Sequence, residues 1–204
     1  MVTVNNSEKI VPSCLNELKE LVEDENVHLG DIDVRNITSF NYLFKSSKRK
    51  YYSGLEKWDV SHVTDMSSMF FMNNHFKGFE IENWDVSNVK TMEKMFSKAE
   101  NFNVDISKWN VSNVTDMSHM FSKAKSFNQP IGDWDVSNVE YMFCMFEYAK
   151  KFNQPLDNWD LRNIKSMRFI FWNADSFNQK LSSWEKKIPL CVREKSCVDI
   201  DKFF

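Results

Sequence analysis

Glycine and proline are scarce, with 4 of each in 204 residues. The Gly-rich turns of calcium-binding β-rolls and a Gly-rich oxyanion loop are therefore both missing. Cysteine is as rare: Cys14, Cys144, Cys191 and Cys197 lie at spacings that match no zinc, haem or thioredoxin-type motif, which points to reduced thiols and not to a disulfide frame. Cys191 and Cys197 are close enough in sequence to pair in an oxidising compartment, although closeness alone does not supply disulfide geometry. No apolar run approaches the ~18 residues that suggest a membrane span, and Met1 to Pro12 has no basic segment followed by an apolar one; a cytoplasmic protein is the expectation on that ground. Charge of one sign is lacking too. With 26 basic and 29 acidic residues and a net charge of −3, no global field draws in nucleic acid or an acidic membrane surface.

What the chain has is aromatic and thioether side chains, 18 Phe, 11 Met and 7 Trp, and these recur with a period. Trp58, Trp84, Trp109, Trp134, Trp159 and Trp184 follow one another at intervals of 26, 25, 25, 25 and 25 residues, and Ile32 takes the same place 26 residues before Trp58. Six coils result, from Ile32 to Ser183. Counted from each tryptophan, the second step carries Val34, Val60, Val86, Val111, Val136 and Leu161, and the fifth carries Ile37, Val63, Val89, Val114, Val139 and Ile164. Such β-branched and aliphatic residues favour strand. The eighth and eleventh steps carry pairs such as Met92 and Met95 or Met117 and Met120, followed directly by a phenylalanine, then by a small residue and by another phenylalanine at intervals of three. That spacing puts the apolar groups on one face of a short helix or a chain of 3₁₀ turns.

A single coil cannot bury its apolar face, whereas stacked coils at a strand spacing of ~4.8 Å make each tryptophan, methionine and phenylalanine column a continuous core. The expected fold is an α/β repeat: a leucine-rich-repeat-like right-handed solenoid of short parallel strands and short helices or 3₁₀ turns. It is read as a single domain, residues 1–204, with an N-terminal cap over 1–30, repeats over 31–184 and a C-terminal cap or tail over 185–204. Ser13 ahead of Leu15, Leu18, Leu21 and Val22 predicts an N-capped amphipathic helix covering the first coil.

The strings WDVSHVTDMSSMF (58–70), WNVSNVTDMSHMFSKAKSFNQPIGDW (109–134) and WDVSNVEYMFCMFEYAKKFNQPLDNW (134–159) resemble the 26-residue bacterial surface protein repeat of the BspA-like leucine-rich-repeat family. The resemblance covers roughly residues 31–184, and residues 15–33 look like the lead-in often found before such repeats. It implies a leucine-rich-repeat-like scaffold, no enzyme activity, and a setting at the cell surface as the alternative to the cytoplasm.

Positions that repeat are accounted for by stacking, so function is sought where coils differ at steps outside the core. In the last two coils these steps carry Tyr141, Phe143, Tyr148, Phe169 and Trp172, where the middle coils carry small or charged residues such as Glu93, Lys94, Ser118 and His119. Five aromatics on one lateral face have the composition of a protein-interface hot spot. The expected function is non-enzymatic protein binding through this face, by a monomer with no cofactor, metal or nucleic-acid site. The alternative is that the tail, with Val192, Val198, Phe203 and Phe204, folds back to cover the aromatics.

Other readings carry less. The Asp column after the tryptophans, Asp33, Asp59, Asp85, Asp135 and Asp160, suggests local turns with the serine two residues on, or a calcium ladder that Asn110 interrupts. Asn103, Asn128, Asn153 and Asn178 would form a second polar ladder. Lys45, Lys48, Arg49 and Lys50 beside Tyr51 and Tyr52 form a basic aromatic loop, read as a solvated turn ahead of a nucleic-acid site. The tenth step aligns His119 with Cys144 about 5 Å apart, the pairing of an activated thiolate, with no third residue to complete a catalytic set.

Overall fold

A computed structural model describes residues 9–193, and it corrects the expected architecture. Among the described residues there is no strand and no helix within the repeats longer than a single 3₁₀ turn. The parallel pairing that an α/β leucine-rich-repeat-like solenoid requires is reduced to isolated bridges along one column: Ser39 to Asp65, Thr91, Asp116, Tyr141 and Ser166. Among the described residues α-helices stand only at the ends: α1 (Leu15–Glu23), α2 (Trp184–Lys187) and α3 (Leu190–Arg193).

The reason is visible in the backbone. The valine segment predicted as strand is a turn, closed by Val63 N–H on Val60 O at 2.9 Å, and the same bond recurs from Val114 to Val111 and from Val139 to Val136. The methionine–phenylalanine segment predicted as a short helix or a chain of 3₁₀ turns is interrupted every four residues. Its tenth and fourteenth steps take positive φ in all six coils, as at Lys94 (57°), Lys98 (60°), His119 (57°), Lys123 (62°), Cys144 (55°) and Tyr148 (55°). An α-helix admits no such residue.

Tight turns stacked in register satisfy the backbone in two directions. In the coil of Trp84, Met92, Lys94, Phe96 and Lys98 donate N–H to Asp116, Ser118, Met120 and Ser122 of the next coil at 2.7–3.0 Å. The alternate residues Met95, Ser97 and Ala99 donate back to Met92, Lys94 and Phe96 of their own coil at 3.0–3.1 Å. Half the groups bind the coil together and half bind coils to each other, so the segment leaves no donor stranded without forming sheet or helix.

Side chains fill the interior in columns. Met92, Met95, Phe96, Ala99 and Phe102 are fully buried, as are their counterparts Met117, Met120, Phe121, Ala124 and Phe127. Within a coil the two phenylalanine rings stack at 3.8–4.0 Å, as in Phe96–Phe102 and Phe146–Phe152, and from coil to coil Phe96, Phe121 and Phe146 continue the stack at 5.7–5.9 Å. The six column tryptophans are buried and add directed bonds. Each indole N–H donates to a carbonyl one coil back: Trp84 to Leu55, Trp109 to Ile81, Trp134 to Ile106 and Trp159 to Ile131, at 3.1–3.2 Å.

At the N-terminal end α1 buries Leu18 and Val22 against the first coil. Its N-cap is Cys14, one residue later than predicted; Ser13 instead donates its N–H and hydroxyl to the Glu17 carboxylate at 2.7 and 2.8 Å. Ile10 pairs with Ile32 and extends the stack one layer outward.

Candidate functional site

The turn geometry that builds the core also sets what the lateral face displays. Left-handed residues at the tenth and fourteenth steps alternate with buried ones, so the ninth, tenth, thirteenth and fourteenth steps of neighbouring coils lie side by side. Tyr148 N–H on Trp172 O at 2.7 Å and Cys144 N–H on Arg168 O at 2.9 Å fix the register of the last two coils there.

That register brings the predicted aromatics together outside the core. Phe143 meets Phe169 edge-on with ring centres 6.0 Å apart, and Phe169 meets Trp172 edge-on at 5.5 Å. His119 extends the line from the preceding coil, edge-on to Phe143 at 5.0 Å. Trp172 is 52% exposed and Tyr141 40%, while Phe143, Tyr148 and Phe169 are half-buried. Tyr141 and Tyr148 are not joined to this line by ring contacts; each lies under cations, Lys165 over Tyr141 at 5.9 Å and Lys123 and Lys150 over Tyr148 at 5.3 Å. Arg168 lies over Phe169 at 5.5 Å. Of the residues expected to cover the face, Val192 is buried in the core cluster; Val198, Phe203 and Phe204 lie outside the described residues, as does Cys197 with its possible pairing to Cys191.

The His119–Cys144 neighbours are also brought together, with a third group that the column reading missed. Glu147, three residues after Cys144, is folded back by its N–H on Cys144 O at 3.1 Å. One ligand atom from each of His119, Cys144 and Glu147 lies within 4.8 Å of the others. Cys144 is only 5% exposed, and burial, reinforced by Glu147, pushes its thiol up to about 11. Burial and the nearby Lys94 ammonium hold the His119 imidazole below its ordinary value. A protonated thiol beside a neutral imidazole is the opposite of the activated thiolate that nucleophilic catalysis needs.

A family described as Mycoplasma protein of unknown function, DUF285, matches residues 15–111 and 71–184. The chain belongs to this family. Comparison with curated proteins and with solved structures gave no match. The family's matched range takes in α1 and all six coils.

The remaining polar features are engaged locally. Asp59, Asp85 and Asp135 each accept the N–H of the serine two residues on at 3.0 Å, and Asn110 accepts that of Ser112 at 3.1 Å. Asparagine closes the same turn as aspartate, which explains the interruption of the column without a cation. Asn103, Asn128 and Asn153 form the predicted ladder, each side-chain oxygen accepting the N–H of the next asparagine at 2.8–3.1 Å. In the basic loop, Arg49 is 6% exposed. Its guanidinium donates to Val22 O and Asp24 O at 3.0 Å and also to Val27 O, so it closes the C-terminal end of α1 and faces away from solvent.

Proposed function

We propose that the protein is a non-enzymatic binding scaffold that holds another protein against the lateral face formed by Tyr141, Phe143, Tyr148, Phe169 and Trp172. The observation that carries this reading is the Phe143–Phe169–Trp172 ring line, continuous over two coils and ending in a half-exposed indole. These rings are not required by the stack, because the core columns are complete beneath them. Aromatic side chains with rim cations are the composition that concentrates binding energy at interfaces. The same reading serves a partner met in the cytoplasm or, as the likeness to bacterial surface repeats suggests, at the cell surface.

The test is capture from lysate and medium of the source cells by the wild-type chain and by a Tyr141→Ala, Phe169→Ala, Trp172→Ala variant. The expected result is a protein retained by the wild type and lost by a variant whose circular dichroism and melting are preserved. Equal retention by both would move the site elsewhere.

A further inference from the structure

We propose that His119, Cys144 and Glu147 form a binding site for a divalent transition-metal ion of the zinc class. The inference stands apart from the protein-binding reading: it rests on three different side chains and would survive the loss of that reading.

The donor set is the first argument. An imidazole, a thiol and a carboxylate supply the nitrogen, sulfur and oxygen ligands that zinc accepts, and three protein ligands leave a fourth position open. Their charges balance, since a thiolate and a carboxylate together neutralise a dication and spare the half-buried site a net charge.

Placement is the second. The ligand atoms lie within 4.8 Å of one another, whereas tetrahedral zinc with ordinary bond lengths separates its ligands by about 3.4–3.6 Å. Closing that gap falls to side-chain rotation, because the backbone is held on both sides. His119 N–H donates to Phe143 O at 2.7 Å, Cys144 N–H to Arg168 O at 2.9 Å, and Glu147 O accepts Lys123 N–H at 2.6 Å. His119 and Cys144 stand at the same step of adjoining coils and share the left-handed conformation (φ 57° and 55°).

The surroundings are the third. The Ser122 hydroxyl, on a residue only 3% exposed, donates to Glu147 Oε2 at 2.7 Å, the kind of orienting contact that ligating carboxylates have. Phe143 stands edge-on to the His119 ring at 5.0 Å and limits its swing. No other coil repeats the set: the tenth and thirteenth steps are Lys94 and Ser97 one coil before His119, and Phe169 and Trp172 one coil after Cys144. On binding, the thiol proton leaves to solvent as the sulfur–metal bond forms, so affinity falls as pH falls.

The test uses the full chain, reduced and stripped of metal, titrated with Zn²⁺ by calorimetry and with Co²⁺ by absorption. The expected result is one equivalent bound, a sulfur-to-cobalt charge-transfer band, and a rise in melting temperature with Zn²⁺. Cys144→Ser should remove the band and weaken Zn²⁺ at least tenfold, and His119→Ala should weaken it as much. Glu147→Gln keeps the side-chain volume and an acceptor for Ser122; it should melt as the wild type does without metal and lose the rise with Zn²⁺. A chain carrying Cys14→Ser, Cys191→Ser and Cys197→Ser should bind as the wild type does. The proposal is overturned if the wild type binds no Zn²⁺, if Cys144→Ser or Glu147→Gln binds it undiminished, or if binding follows the other three cysteines.

Discussion

The indole N–H of Trp109 donates to the backbone carbonyl of Ile81 across 3.1 Å, from one coil into the coil before it. The tryptophan is 3% exposed and Ile81 fully buried, so water cannot replace the bond. Trp109→Phe keeps a ring in the column but removes one of the two bonds that carbonyl accepts, the other coming from Trp84 N–H at 3.1 Å, and should cost about 0.5–1.5 kcal/mol. Trp109→Ala also opens a cavity and should cost about 3–5 kcal/mol. Urea unfolding midpoints check both values; an unchanged midpoint for Trp109→Phe would remove the directed bond from the account of stability.

The left-handed steps give a prediction of opposite sign. Met72 sits at a fourteenth step with φ 59° and is 44% exposed, while its N–H donates to Ser97 O at 2.9 Å. Met72→Gly relieves a conformation that costs an ordinary residue about 1–2 kcal/mol, partly offset by glycine's greater freedom when unfolded. It should leave stability equal or higher, by up to about 1 kcal/mol. Met72→Ile adds a β-branch at the same φ and should lower stability by at least about 1 kcal/mol. Melting curves of the pair decide it, and a more stable isoleucine variant would contradict the turn geometry.

Arg49 ties the first coil to α1 through carbonyls of Val22, Asp24 and Val27. Arg49→Met retains much of the packing and takes the donor from the buried Val22 carbonyl and the part-buried Val27 carbonyl, while Asp24 O keeps the Val27 N–H at 3.1 Å; about 2 kcal/mol should be lost. The loss should be local: hydrogen exchange of the α1 amides should quicken far more than that of the coil around Trp134. Uniform quickening would show that the cap and the stack unfold as one.

Columns of Trp, Met and Phe were legible because a fixed period in residue type is enough to find a stack. The backbone between them was not. Val60 and Val63 have strand propensity, yet the chain turns at them because the neighbouring coil takes its hydrogen bonds elsewhere. Nothing in Lys94, His119, Cys144 or Tyr148 announces a left-handed residue in the way Gly or Asn would; the inter-coil bonds impose it. The aromatic face was legible as a departure from the repeat, and so was the His119–Cys144 alignment. Glu147 was not, because it stands at the thirteenth step, outside the column that aligns His119 with Cys144, and is brought to Cys144 by its own turn.

The Cys144 thiol, pushed up to about 11 by burial, predicts its reactivity in the metal-free protein. At neutral pH iodoacetamide should label the exposed Cys14 and Cys191 well before Cys144. The native state keeps a proton that the unfolded chain releases near its ordinary 9.0. This contribution to stability is therefore whole below pH 9 and is lost as the pH rises toward 11. Mass spectrometry of labelled peptides checks the order, and Cys144 labelling first would favour a thiol enzyme over a binding scaffold.

In the proposed function Trp172 and its neighbours hold the partner. The most direct measurement is the dissociation constant of the captured protein for the wild type, for Trp172→Ala and for Tyr51→Ala, the last altering a side chain 77% exposed in the first coil's loop. Trp172→Ala should lose at least tenfold, about 1.4 kcal/mol, and Tyr51→Ala should keep wild-type affinity. Wild-type affinity for Trp172→Ala, with the partner lost by Tyr51→Ala, would contradict it.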